Sequence, residues 1–232
     1  MTDRDVIAAR AARELRGGMV VNLGFGMPTL VDEYVPRDVK VILQSENGML
    51  EFAGPPERGF QDCDLANAGG EPLIEVAGSS YFNIAESHCM IRGGHIDLCL
   101  LGALEVDEKG DIANWLVPGK RPTGMGGAMD LLVGAKHVVV MMEHNAKDGS
   151  PKLVKECALP LSAVGAVNRV ITEKGVFDID ERGFVLREIS PLVTVEELKR
   201  LTGADFMVDE DLQPMFEAVS YTHLTLPTNR EV

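Results

Sequence analysis

Apolar positions along the chain fall into short runs broken by glycine-rich turns, with stretches of helical spacing between them. Thr2-x-x-Asp5 is a capping pattern ahead of an alanine-rich segment, which predicts a helix over 6–15 that stops at Gly17-Gly18. Residues 19–23 read as a short strand that breaks into Gly24-Phe25-Gly26-Met27-Pro28, and Thr29 opens a brief helix to about residue 34. The β-branched run 39–43 predicts a buried strand, ended by the turn formers Ser45-Glu46-Asn47-Gly48. Residues 49–66 carry neither period and predict a long irregular loop, functional or covered by a partner.

A strand over 73–77 and a helix over 81–92 follow, the helix closed by Gly93-Gly94. Residues 96–101 read as a buried strand, Lys109-Gly110-Asp111 as a turn, 112–116 as a strand and Pro118-Gly119-Lys120 as a loop. Gly124-Met125-Gly126-Gly127 leads into a short apolar helix over 128–133, and the continuous apolar run 137–142 predicts a central strand. The last third predicts short strands over 169–172, 176–179 and 184–188. A helix follows, opened by the capping box Thr194-x-x-Glu197 and stopped at Gly203.

Strands alternating with helices predict an α/β fold, a mostly parallel mixed sheet with helices on both faces, in one domain over 1–219. Residues 220–232 have no period, cap or charge pattern and look like the translation of a sequencing adapter. They are expected to be a non-native tail, with the natural chain ending shortly after Met215.

Composition narrows the function classes. The 232 residues are 45% hydrophobic and 25% charged, an ordinary globular balance, and the net charge is −14. A field of that sign repels phosphate backbones, which argues against a nucleic-acid partner and an anionic membrane surface. No apolar run approaches the ~20 residues that span a bilayer. The N-terminus carries no targeting pattern. Cys63, Cys89, Cys99 and Cys157 have no C-x-x-C spacing and are expected to be reduced, buried thiols in a cytoplasmic protein.

The candidate chemistry centres on Glu46, at the carboxyl end of a strand, where open α/β sheets bind ligands. Its bland reading is a solvated turn carboxylate; its chemical readings are general base, metal ligand or nucleophile. No second ligand at metal spacing stands near it, so no metal is expected. A carboxylate with a reference pKa of about 4.3 is already ionised at pH 7 and attacks without a base. It needs stabilisation of the resulting oxyanion, which the N–H groups of glycine turns supply. Ser45 and Asn47 flank it as hydrogen-bond partners.

Gly24-x-Gly26-x-Pro28 departs from the dinucleotide fingerprint and reads as a plain tight turn or a phosphate or acyl contact. Gly124-x-Gly126-Gly127 precedes a helix, where free N–H groups and the positive dipole end suit an anion. Lys120 and Arg121 either pair with a phosphate or are solvated charges. His88, His95, His137 and His144 share no spacing for a triad or metal site and read as structural. Trp115 and the methionines read as core or interface residues.

The segment Gln44-Ser45-Glu46-Asn47-Gly48 resembles the S-E-N-G signature of family I CoA-transferases, in particular the B (β) subunit of 3-oxoacid CoA-transferases. The likeness continues through Val21-Asn22-Leu23-Gly24-Phe25-Gly26-Met27-Pro28-Thr29, Asn67-Ala68-Gly69 and Met90-Ile91-Arg92-Gly93-Gly94-His95-Ile96-Asp97. It extends over Ala113-Asn114-Trp115, Pro118-Gly119-Lys120, Gly124-Met125-Gly126-Gly127-Ala128-Met129-Asp130 and Met142-Glu143-His144. The resemblance implies the CoA-transferase fold and ping-pong transfer of CoA between carboxylic acids, through a glutamyl-CoA thioester on Glu46. Asn22 would lie against that glutamate and the Gly127 backbone would stabilise the oxyanion. Gly24, Gly26, Asn67, Gly69, Lys120, Gly124 and Gly126 would contact CoA or substrate. The coenzyme A thioester is a substrate and no further cofactor is implied.

The implied partner is the CoA-transferase A subunit, in a heterodimer or A2B2 heterotetramer, with no activity from this chain alone and 49–66 a candidate interface. The chain departs from the pattern at two places. Glu51 is expected to put a bulky charge beside the nucleophile, and Gly70 stands where many relatives carry a lysine for a CoA phosphate. Two other functions fit the fold class: a sugar-phosphate isomerase, and a non-catalytic module that senses acyl or phosphosugar ligands.

Overall fold

Five parallel strands form the centre of the molecule in a computed structural model that describes residues 2–119 and 126–216. In chain order the first are β1 (Val20–Leu23), β2 (Ile42–Ser45), β3 (Met49–Ala53), β4 (Ile74–Tyr81) and β5 (Leu98–Gly102). They are followed by β6 (Glu105–Asp107), β7 (Ile112–Ala113), β8 (Val138–Met141) and β9 (Leu153–Val154). The last are β10 (Arg169–Ile171), β11 (Gly175–Asp180), β12 (Gly183–Ile189) and β13 (Phe206–Pro214). Ten of them make one sheet in the order β13-β12-β11-β10-β8-β5-β1-β2-β3-β4, and β7-β6-β9 make a second, small one. From β10 to β2 every pairing is parallel; β3 and β4 on one side and β11 and β12 on the other join antiparallel. The mixed, mostly parallel centre matches the expected class.

Alternation along the central strands sends side chains into two cores. Leu98, Leu100, Val139 and Met141 pack with α1 (Asp3–Ala11). Cys99, Leu101, Val138 and Val140 pack with α2 (Ile84–Arg92), α3 (Ala128–Gly134) and α4 (Val195–Leu201). Helices therefore cover both faces. The capping boxes at Thr2 and Thr194 form as expected, and α2 is opened by a third, Asn83 with Glu86.

Several elements differ from expectation. The first helix is α-helical only to Ala11 and tightens to a 3-10 turn over Ala12–Glu14, and the brief helix at Met27–Tyr34 is wholly 3-10. β2 starts at Ile42 because Val39 N–H is held in a turn by Pro36 O (2.9 Å), and it runs on through Gln44 and Ser45. The loop expected over 49–66 begins as strand β3, which folds back on β2 with Ser45 opposite Met49. β6, β9 and β13 have no sequence signal: two are very short, and β13 is a largely exposed edge strand rich in acidic residues. All four cysteines are free, but only Cys99 is buried as expected: Cys157 is half-buried, and Cys63 and Cys89 are exposed because they lie on the open loop after β3 and on the outer side of α2. The expected tail at 220–232 lies outside the described residues.

Candidate active site

The carboxyl ends of β1, β2 and β5 converge on Glu46. Strand register sets Asn22 of β1 beside Gln44 of β2 and Cys99 of β5, and Glu46 is the first residue past β2. The turn that carries it depends on Gly48, whose φ of 133° lies in the region that favours glycine. A Cβ there would stand 2.2 Å from Phe82 O, the residue whose N–H bonds back to Gly48 O at 3.0 Å. Gly48 N–H closes the turn onto Ser45 O at 3.0 Å.

A buried run of amides reaches the carboxylate. Asn22 Nδ2 donates to Glu46 Oε2 at 3.1 Å, to Gln44 Oε1 at 2.7 Å and to Gln44 O at 3.1 Å. Gln44 Nε2 in turn donates to Ser87 Oγ on α2 at 2.9 Å. Asn22, Gln44 and Ser87 are all buried. The order of acceptors fixes the Asn22 amide: reversed, its oxygen would face three oxygens. The orientation leaves Asn22 Oδ1 without a partner, the one such buried side-chain atom among the described residues. An orphan of that kind costs about 1–3 kcal/mol, and it is tolerated at the point where an N–H must face Glu46.

On the other side, Gly127 begins α3 with its Cα against the Glu46 side chain, and a Cβ would come within 2.9 Å of Glu46 Cγ. Beneath lies the Cys99 thiol. Burial first, and the Glu46 charge second, push it far above its ordinary range, so it stays neutral.

Two cavities meet at Glu46. The larger, about 530 Å³, is lined by the backbone-rich ends Gly24, Gly102, Gly126 and Gly127, with Asn114 and Leu131. The smaller, about 110 Å³, is lined by Leu23, Leu43, Phe52 and Leu73, with Asp32 and Glu71. Phe25, Glu46, Ala68 and Gly69 border both. Asp32 is open to solvent on one side, and the walls around the other hold its carboxyl above the ordinary carboxylate range through burial.

The sequence-predicted residues divide accordingly. Glu46, Asn22 and Gly127 come together. Ser45 and Asn47 shape the loop: Ser45 Oγ accepts from Ala68 N–H at 3.0 Å, and Asn47 Nδ2 donates to Ala66 O at 2.8 Å. Asn67 builds its own turn, Oδ1 accepting the N–H groups of Gly69 and Glu71 at 2.9 Å each, and this turn presents Gly69 to both cavities. Gly24 and Gly126 line the larger cavity. Gly26 lines neither; its carbonyl accepts from Thr29 Oγ1 at 2.9 Å. Lys120 and Gly124 lie outside the described residues.

Glu51 is not beside Glu46: it lies in β3 at a bulge, with φ 57°, its carboxylate against Gly78, and it lines neither cavity. His88 pairs with Asp130, and His144 is buried between Thr172 and Thr202, where burial lowers its pKa to about 4. Gln44, Ser87 and Asp32 were not singled out by sequence. The available signal for Gln44 was a polar residue inside an apolar strand run.

Residues 4–201 match the family model for coenzyme A transferase. The chain belongs to the coenzyme A transferase family. Within it, the chain is 52% identical over 209 residues to the B subunit of a probable succinyl-CoA:3-ketoacid coenzyme A transferase of Bacillus subtilis, covering 90% of this chain and 97% of that protein. It is 50% identical over 216 residues to the beta subunit of an acetate CoA-transferase of Haemophilus influenzae, covering 93% and 96%. A crystal structure of an acyl-CoA transferase from Escherichia coli O157:H7 shares the coenzyme A transferase fold. Its TM-score is 0.74 at 22% identity, covering 93% of this chain and 43% of that one. Among the described residues no helix is long and apolar enough to cross a membrane.

Proposed function

We propose that this chain is the B subunit of a 3-oxoacid CoA-transferase and that Glu46 is its nucleophile. The observation that carries the reading is the single locked N–H of Asn22 on Glu46 Oε2, in a site whose neighbouring thiol is kept neutral. The Glu46 carboxylate attacks the acyl-CoA carbonyl and expels the CoA thiolate, leaving a mixed anhydride. The thiolate then attacks the glutamyl carbonyl and releases the first acid, leaving glutamyl-CoA. An acceptor carboxylate reverses both steps and departs as the new acyl-CoA. Charge builds twice on a carbonyl oxygen. In this reading Asn22 Nδ2, 3.1 Å from Glu46 Oε2, serves the oxygen on Glu46, and the Gly127 backbone, packed against the Glu46 side chain, serves the oxygen of the substrate; one such donor is worth about 3 kcal/mol.

The names of the similar bacterial proteins, a B and a beta subunit, support a partner A subunit, in a heterodimer or A2B2 heterotetramer. The chain co-purified with its A subunit is mixed with acetoacetyl-CoA, and the Glu46 adduct is trapped with borohydride or hydroxylamine. An adduct on Glu46, and loss of transfer in Glu46→Ala by about 10⁴-fold or more, is expected. Full activity in Glu46→Ala would sink the assignment, and ribose 5-phosphate isomerisation would point to the other enzyme class.

A further inference from the structure

A nucleophile that attacks a thioester carbonyl sends the two arms of its substrate in different directions. At Glu46 these directions are the two cavities, separated by Phe25, Glu46 and the Ala68-Gly69 turn. The pantetheine arm of CoA is long and lined with amides, and it matches the cavity of about 530 Å³ edged by glycine backbone and Asn114. The other cavity, about 110 Å³, has room for a short chain only. Its walls are Leu23, Leu43, Phe52 and Leu73 on the apolar side, facing the carboxylates of Asp32 and Glu71. No basic side chain among the described residues lines it.

Resting on the CoA-transferase reading, we infer that the smaller cavity is the acyl pocket and that Asp32 is its specificity-determining residue. It admits a short acyl chain with an uncharged far end and excludes one that ends in a second carboxylate.

The physical reason is a sum of like charges and lost hydration. An acyl chain that reaches into this pocket leaves bulk water. A carboxylate at its far end would give up hydration with no cation among the described residues to replace it. It would also meet the charges of Asp32 and Glu71 at short range. A methyl or ketone end meets neither penalty and gains contact with Phe52 and the leucines. Glu71 is already engaged, accepting from Asn67 Nδ2 at 3.0 Å, and its backbone closes the same turn. Asp32 stands on the 3-10 segment, and burial alone shifts its carboxyl, with no hydrogen bond or charge from another described residue, so its carboxylate is the one that can be removed cleanly.

The test uses the complex of this chain with its A subunit, acetoacetyl-CoA as donor, and acetate, butyrate and succinate as acceptors. For the wild type, kcat/KM is expected to favour butyrate over succinate by about 100-fold. Asp32→Asn is expected to narrow that gap by about tenfold, through the KM for succinate, and Asp32→Ser should do the same. Succinate used as readily as butyrate by the wild type overturns the pocket assignment. A butyrate preference that neither variant moves overturns the role of Asp32. Failure to transfer CoA to any of the three acids is a different result, and it overturns the transferase reading beneath.

Discussion

Two of the buried polar clusters among the described residues are built on opposite rules. At the carboxyl ends of the strands, Ser87, Gln44 and Asn22 form a neutral amide relay that ends on Glu46 and leaves one acceptor unpaired. Between α1 and the antiparallel strands, charged groups close on one another. Arg10 is bonded to Glu188 at 2.6 and 2.7 Å and to Glu14 at 2.7 Å. Arg169 bridges Glu14 at 2.8 Å and Asp178 at 2.6 Å. In the second cluster each charge named has an opposite charge at hydrogen-bond distance, so it ties a helix to strands more than 150 residues away in sequence. The relay accepts an unsatisfied atom to hold one N–H toward the candidate nucleophile. The difference separates a cluster that serves the fold from one that fits the proposed reaction.

The comparison breaks hardest at Arg10. Arg10→Met leaves Glu188 and Glu14 facing each other's charge without the guanidinium, and a loss of about 3–5 kcal/mol in unfolding free energy is expected from urea titration. Transfer activity per folded complex should stay at the wild-type level; a drop in kcat with unchanged stability would mean the two clusters are not separate. The same network sets a pH dependence. Burial alone would raise the carboxyls of Glu14 and Asp178, but the charges and hydrogen bonds of their arginines overcome it and hold both below the ordinary range. Their folded pKa values are depressed, so their contribution is present above the unfolded carboxylate pKa of about 4 and is lost as pH falls through the folded values. Melting temperature followed from pH 6 down to pH 3 should fall, and fall less steeply in Arg10→Met.

The relay predicts the complementary result. Gln44→Leu removes Oε1, the nearest acceptor that orients Asn22, and leaves only the residue 44 carbonyl, so the Asn22 oxygen is freer to turn toward Glu46. A kcat lower by about 10²-fold with KM for acyl-CoA little changed is expected from steady-state kinetics, with slower trapping of the thioester. Equal losses in kcat and in stability would make Gln44 a packing residue only.

The smallest effect lies at Glu51. A non-glycine residue at φ 57° costs about 1–2 kcal/mol, so Glu51→Gly should raise the unfolding free energy by about 1 kcal/mol. Because Glu51 lines neither cavity, the acceptor-acid preference should not move. A changed preference would return Glu51 to the neighbourhood of the nucleophile.

Strands such as 137–142 and helices opened by Thr2 and Thr194 were legible because each carries a local cause: a continuous apolar run, or a capping pair three residues apart. β3 was not, since its residues pair only because the Gly48 turn folds them back onto β2, and Glu51 breaks the alternation by bulging. The same holds at the site. A carboxylate at a strand's end among glycine turns, together with the S-E-N-G resemblance, pointed to Glu46, Asn22 and Gly127 in the linear chain. Gln44 and Ser87 have meaning only together, 43 residues apart, where α2 packs beside β2.

By itself, then, the sequence determined the fold class, because turns, caps and apolar periods act over a few residues, and the S-E-N-G resemblance singled out Glu46 as the candidate nucleophile. The neutral state of Cys99, the locked face of Asn22 and the division of space between a glycine-edged cavity and one holding Asp32 were decided only in three dimensions. Burial, hydrogen-bond direction and cavity shape are properties of neighbours brought together by the sheet, and no stretch of chain carries them alone.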